Sequence, residues 1–534
     1  MKSRYALLAA LVAAHLSYAE FPPQIKNVIV IIQENRSPDN LFHFLTPACP
    51  LPVNADPLDA CKPKVAANCY DISPCGLSNK SGQPVPVKLH AAKMDAPSDP
   101  GHNHVAFEFM CDPDPATYAC RNDGAWRIIP DNFSYTYVEN TPVTNSNGSP
   151  GHLLDPYLTL AKDYGWANFM YQTNQGASYA AHQFLFAGTS ALTAKDDERS
   201  TFVSENFVTT SGMMTDAGCT APANTDNLVI SPVIGTATHG CFIFDDSSVQ
   251  ECTMPNSGLV FPTDPVGTFC AQHKALSDLL DAKEASWKYY SPTAGAIWTA
   301  PDAIQSICVP KFDPSNPDAE PACTGKEWKA HVDVNNLGTD ILRDISSCSM
   351  ARVSWVTPNA TWSDHSGIIG TVYGPSWVAA IVNAIGNNPV CPKGTPDAGQ
   401  HYWDNTAILV LWDDWGGWSD NQPAPYAGKL PCTSYDCQAD YQYGFRVPLI
   451  VVSAYTPAGT ISNSHFDFGT VLRMIEAVYG IPEGALGFAD KRGSGDLHDF
   501  FSLTTPRKYK TIPAMKDAGY FLNQTGPAID PDDD

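Results

Sequence analysis

Apolar positions along the chain fall into two patterns. Continuous aliphatic and β-branched runs occupy 28–32, 407–411 and 447–453, with a shorter one at 354–356. Such runs, lacking polar alternation, predict strands buried on both faces, as in a parallel sheet. Segments 153–163, 180–188, 376–385 and 468–479 instead carry apolar residues at helical spacing. Strands alternating with amphipathic helices predict an α/β fold, a mainly parallel sheet covered on both faces.

Two stretches, 43–150 and 212–330, break this rhythm. They are rich in Pro, Gly, Asn, Asp and Cys and poor in periodicity. They read as long loop-rich elaborations of one domain spanning 20–534, pinned by disulfides. The chain holds 16 cysteines and no Cys-x-x-Cys, a usage that fits an oxidising compartment better than zinc. Cys432 pairs with Cys437 on this reading, and Cys69 with Cys75.

The N-terminus agrees with that compartment. Lys2 and Arg4 precede an apolar stretch at 5–16, and Ser17-Tyr18-Ala19 has a small-x-small form. Residues 1–19 therefore read as a secretory signal peptide, and the protein is expected to be secreted or periplasmic. The apolar stretch is shorter than the roughly 20 residues a bilayer span needs, and no later stretch is long enough. The mature chain is thus expected to lack an integral membrane segment. The formal charge is −24, or −26 once Lys2 and Arg4 are removed. That surface repels nucleic acid and anionic membranes. Oligomeric state is not encoded in any of these features.

Chemistry gathers where the apolar runs stop. The first run meets Glu34, Asn35 and Arg36, and the second meets Asp413 and Asp414. Ligands of open α/β sheets collect beyond the carboxyl ends of strands. Adjacent carboxylates repel unless paired, and a divalent cation is the simplest relief. An all-oxygen set favours Ca, Mg or Mn, although Zn also accepts carboxylates. Ser178 follows Gly176-Ala177 and opens the helical segment at 180–188. A serine there serves as an ordinary N-cap or as a nucleophile beside free N–H groups that favour an anion. His102, His104 and His365 lie in polar segments. Histidine there is a phosphate donor, a general acid, or incidental.

These residues carry a pattern. The chain resembles the bacterial phosphoesterase family that includes phosphatidylcholine-type phospholipases C and an acid phosphatase. The likeness rests on Glu-Asn-Arg-Ser-x-Asp at 34–39, Gly-Ala-Ser at 176–178 and Ser-Asp-His at 363–365. It continues with Trp-Asp-Asp-x-Gly-Gly-x-x-Asp at 412–420, Gly-Phe-Arg-Val-Pro-Leu-Ile-Val-x-Ser at 444–453 and Leu-Arg-x-x-Glu at 472–476. It implies an alkaline-phosphatase-like three-layer α/β/α sandwich. It also implies one divalent metal cation on Glu34, Asn35, Asp413, Asp414 and Ser178. Ser178 would be the nucleophile, forming a phosphoseryl intermediate, with His102 and His365 at the phosphoryl group or leaving oxygen. Asn35, Arg36 and His104 would contact substrate; Arg36 alternatively pairs with a structural acid. The implied substrate is a phosphoester, with a phospholipid favoured. An acid phosphatase acting on phosphomonoesters is the alternative, and a non-catalytic secreted binding protein of the same fold is the second. The chain departs from the family at Asn40 and Asn421, where histidines are habitual, at Pro38, where phenylalanine is, and at Ala177, where proline is.

Overall fold

The computed structural model describes residues 21–529 except 52–54, 115, 118, 129–132, 177, 199–201, 209–217, 221–225, 231, 233–241, 246–247, 252–269, 296, 312–314, 316–320, 369, 427–440, 488 and 491–494. The proposed signal peptide, Ala177 and the Cys432–Cys437 pair lie outside the described residues.

Eight strands form the central sheet: β1 (Asn27–Gln33), β2 (Gly165–Tyr171), β3 (Trp287–Tyr290), β4 (Val332–Asp333), β5 (Val353–Val356), β6 (Thr406–Trp412), β7 (Leu449–Ser453) and β8 (Thr460–Asp467), in the order β4-β3-β5-β1-β6-β7-β2-β8. Every residue of β1, β2, β5, β6 and β7 is buried. Burying one Val or Ile side chain stabilises by roughly 1.5–3 kcal/mol, so the Val28–Ile32 run anchors the sheet's centre.

The sheet is mainly parallel, as expected, with one correction. β7 runs antiparallel to both neighbours, β6 and β2. Its carboxyl end therefore points away from the edge where β1 and β6 stop. The residues before it, Gly444 to Arg446, enter from that edge instead. A hydrophobic run specifies burial but not direction.

Helices cover both faces. Those central to the site are α1 (His104–Cys111), α2 (Asp155–Asp163), α3 (Ser178–Ala187), α4 (Gly374–Asn387) and α5 (Phe468–Val478). α2 packs on α4, while α3 packs on α5. Two tryptophans locate the layers. Trp355 lies level with Val30 and donates its indole N–H to Leu185 O of α3, 3.1 Å away. Trp412 lies level with Gln33, on the opposite face, and packs edge-on against Tyr157 of α2. Val30 and Gln33 differ by an odd number of residues, so they point to opposite faces.

Disulfides pin the elaborations. Cys49–Cys69, Cys61–Cys75 and Cys111–Cys120 lie in the first, and Cys219–Cys270 and Cys308–Cys323 in the second. The expected Cys69–Cys75 pair is overturned: two interleaved bridges replace it. Sequence proximity favours a small loop, but the isolated bridge between Ala48 and Tyr70 sets Cys49 beside Cys69 instead. The 212–330 stretch is also more than loop, because it supplies β3 to the sheet. Among the described residues no helix is long and apolar enough to cross a membrane.

Candidate active site

Register builds the site. β1 and β6 pair in parallel from Asn27↔Thr406 to Gln33↔Trp412. The next residues stay tied: Asp413 N–H donates to Gln33 O (3.0 Å), Asn35 N–H to Asp413 Oδ1 (3.1 Å) and Arg36 N–H to Asp414 O (3.0 Å). Glu34, Asn35, Asp413 and Asp414 are therefore brought together, all fully buried. Asn35 sits at φ +60°, a left-handed turn that asparagine tolerates better than most residues. Gly416 permits the closeness of the two segments. It has φ +63°, and a Cβ there would lie 2.1 Å from Asn35 O.

Ser178 reaches the same place from the other direction. It is the first residue of α3, so its hydroxyl lies where backbone N–H groups are unpaired. Its Oγ is 3.3 Å from Asn35 Oδ1 and 3.5 Å from Asp414 Oδ2. The preceding Gly176, at φ +142°, lets the loop lie against the start of α1, where a Cβ would meet His104 N at 2.8 Å.

His102 joins this group. Its Nδ1 lies 2.9 Å from Pro100 O, which can only accept, so Nδ1 carries a proton. Nε2 then accepts from Asn35 Nδ2 at 2.8 Å and stands 4.0 Å from Asp414 Oδ2. The His365 ring lies 5.7 Å from that of His102. Asp364 positions it: its Oδ2 accepts from Tyr157 Oη (2.8 Å) and Trp412 Nε1 (2.9 Å), tying the 363–365 turn to β6. Burial raises the Asp364 carboxyl to about 7 despite Arg36 and these donors.

Two sequence candidates stand further back. Arg36 donates to Asp364 O (2.7 Å), Met94 O (2.9 Å) and Asn40 Oδ1 (3.2 Å), with Trp418 against its face. It braces the loops behind the site. His104 bonds through Nδ1 to Gln175 O at 2.9 Å and so braces the loop before Ser178. The departures at Asn40 and Asn421 are similarly structural. Asn40 links Arg36 to Thr136 O, and Asn421 accepts from Arg446 Nη2 (3.0 Å) while donating to Asp71 (2.8 Å).

One residue escaped the sequence reading. His182, fully buried one turn after Ser178, places Nε2 3.1 Å from Glu34 Oε1 and 3.8 Å from Asp413 Oδ2. Glu34, His182 and Asp413 form a group whose atoms could share a metal ion. Burial lowers the His182 imidazole to about 4, against the pull of Asp413, so it is neutral near pH 7. The available signal was its i, i+4 relation to Ser178, which puts both on one helix face. A histidine amid Ala180, Ala181, Phe184 and Leu185 reads as core.

The fold thus sets a serine at a helix start among buried carboxylates, at the carboxyl edge of a mainly parallel sheet where ligands of such sheets collect. The chain belongs to the phosphoesterase family, whose family model matches residues 25–482. The non-hemolytic phospholipase C of Pseudomonas aeruginosa is 26% identical over 208 residues, 34% of this chain and 28% of that protein. Phospholipase C A of Mycobacterium tuberculosis is 26% identical over 180 residues, 31% of this chain and 32% of that protein. The matched region thus spans about a third of the length of these curated relatives. Among solved structures, a protein in the alkaline phosphatase superfamily from Vibrio parahaemolyticus aligns over 62% of each chain, at 8% identity and a TM-score of 0.27. So low a score carries no argument about the fold, which rests on the sheet itself.

Proposed function

We propose that this chain is an exported, metal-dependent hydrolase of phosphoric esters, acting on a phospholipase C-type phosphodiester with Ser178 as nucleophile. The observation that carries the reading is the Ser178 hydroxyl, held at a helix start between Asn35 Oδ1 and Asp414 Oδ2. Family membership and the likeness to bacterial phospholipases C support the substrate class. Six disulfides among the described residues and the pattern of residues 1–19 support export.

A divalent cation fits the residues present. Asp413 Oδ2 is fully buried and makes no hydrogen bond, a costly state for a carboxylate oxygen. Glu34, Asn35, Asp413, Asp414 and Ser178 would hold the ion. When bound, it supplies positive charge that polarises phosphoryl oxygens and lowers the pKa of the serine hydroxyl.

Ser178 Oγ attacks phosphorus while its proton passes to Asp414 Oδ2. The Oγ–P bond forms and the bond from phosphorus to the leaving alkoxide breaks. Asn35 Nδ2, oriented by His102 Nε2, and the backbone N–H groups at the start of α3 stabilise charge on the non-bridging oxygens. His365 gives its proton to the alkoxide. Water then attacks the phosphoserine, returning a proton to His365. The Oγ–P bond breaks, and Ser178 recovers its proton from Asp414.

The test compares p-nitrophenylphosphorylcholine with p-nitrophenyl phosphate, with and without chelator. The expected result is faster turnover of the choline ester, lost with chelator and restored by added divalent cation. Mass analysis of acid-quenched reactions should place phosphate on Ser178. Preference for the monoester would convert the reading to a phosphatase. Failure of both substrates with the metal-loaded protein would overturn catalysis.

A further inference from the structure

We propose that His182 Nε2 is a direct ligand of the active-site cation, giving that site one nitrogen donor and a preference for a transition-metal dication over Ca²⁺. This rests on the metal reading above and adds a residue and a selectivity to it.

The tautomer of His182 is set two hydrogen bonds away from the site. Tyr289 Oη lies 2.6 Å from Trp298 O. A carbonyl oxygen only accepts, so the single phenolic proton is committed to it. His182 Nδ1 lies 3.3 Å from the same Tyr289 Oη. Tyr289 can then offer this nitrogen only a lone pair, so Nδ1 must carry a proton. In a neutral imidazole the other nitrogen, Nε2, is left with its lone pair exposed.

That lone pair faces two carboxylates. Glu34 Oε1 is 3.1 Å away and Asp413 Oδ2 is 3.8 Å away. Three electron-rich atoms converging in a buried site repel one another unless something positive lies between them. Such separations suit atoms sharing one ion at about 2.0–2.2 Å. Asp413 Oδ2 is the buried oxygen that no hydrogen bond satisfies. The hydroxyl of Tyr289 thus orients the ring as the outer partner of a metal-binding histidine does. The competing arrangement places a proton on Nε2, which donates it to Glu34 Oε1 with no metal contact.

The donor set bears on metal identity. Imidazole suits Zn, Fe, Ni and Cu, and it binds Mn²⁺, whereas Ca²⁺ is bound by six to eight oxygens. The all-oxygen shell anticipated from sequence would carry no such discrimination.

The experiment uses the full chain loaded with Mn²⁺ and examined by pulsed electron paramagnetic resonance. The expected result is a directly coordinated ¹⁴N coupling that disappears in His182→Gln, with Mn²⁺ affinity falling about 100-fold and Ca²⁺ affinity by less than about threefold. Tyr289→Phe leaves the ring in place but removes its outer partner, and should weaken Mn²⁺ about 10-fold. Mn²⁺ bound to the unaltered chain without nitrogen coupling overturns this proposal and leaves the metal reading intact. Coupling that persists in His182→Gln overturns it as well. If His182→Gln does not fold, unchanged Mn²⁺ affinity in Tyr289→Phe overturns it. No Mn²⁺ binding to the unaltered chain overturns both readings.

Discussion

The same two segments build two buried acidic clusters, and the clusters are neutralised differently. Asp39 and Asp420, with Asp71, surround Arg446, whose Nε and Nη2 each lie 2.9 Å from an Asp420 oxygen. Glu34 and Asp413, only a few residues earlier in each segment, face His182 where the first cluster has an arginine. The chain carries the countercharge of one cluster within itself. The other has a neutral ring at the matching place and a carboxylate oxygen without a hydrogen bond. A third pair shows another solution. Burial and the neighbouring Asp490 push Glu476 up to about 9, so a proton stays on that pair although Arg473 opposes the shift. Buried carboxylates thus meet an arginine, a proton, or a neutral histidine with which they could share a metal ion.

The largest expected effect belongs to the cluster facing His182. Ser178→Ala should lower kcat on p-nitrophenylphosphorylcholine by about 10⁴-fold or more while the thermal midpoint stays near that of the unaltered protein. Retained turnover would break the assignment of this cluster to catalysis.

The contrast sharpens when one charge is removed from each cluster. Arg446→Met leaves three aspartates buried without their cation, and should cost about 3–5 kcal/mol in urea unfolding. Asp413→Asn removes charge from the cluster facing His182, so the metal-free protein should be no less stable, while activity is lost. Equal destabilisation by both changes would erase the distinction. A smaller effect is expected at Asn421, which bridges Asp71 and Arg446. Asn421→Ala should cost about 1–3 kcal/mol with kcat unchanged, and a fall in kcat would tie this position to substrate.

The smallest effect concerns Glu476. Its folded value stands above its ordinary 4.5, so its contribution to stability is complete below that value and is lost as pH rises towards about 9. Glu476→Gln should flatten the decline of the urea midpoint across that window. An unchanged decline would remove the proton-sharing pair from the comparison.

The legible parts of the sequence were those where one residue type has one physical meaning. The runs in β1 and β6 were bound to be buried strands, and the polar residues at their ends were bound to lie beyond the sheet edge. Helices α2 to α5 followed from spacing. β2 and β8 were hidden because Asn168 and the polar Ser462-Asn463-Ser464 interrupt their runs. The direction of β7 was hidden because burial has no polarity along the chain. The Cys69–Cys75 expectation failed because closeness in sequence is not closeness in space. His182 was hidden by its apolar surroundings. Its significance depends on Tyr289, Glu34 and Asp413, which come from three different strands or strand ends. The aromatic residues Trp415, Trp418, Trp362 and Tyr179 are buried packing elements, and Trp418 also donates to Asn35 O at 2.9 Å.

The in-register zipper between β1 and β6 has a consequence in time. Asn35 and Asp413 are 378 residues apart in the chain, and they meet only after both strands have joined the sheet. No short piece of the polypeptide holds the whole cluster, so the site cannot assemble gradually as the chain emerges. It should switch on in a single late event, together with the longest-range pairing of the fold.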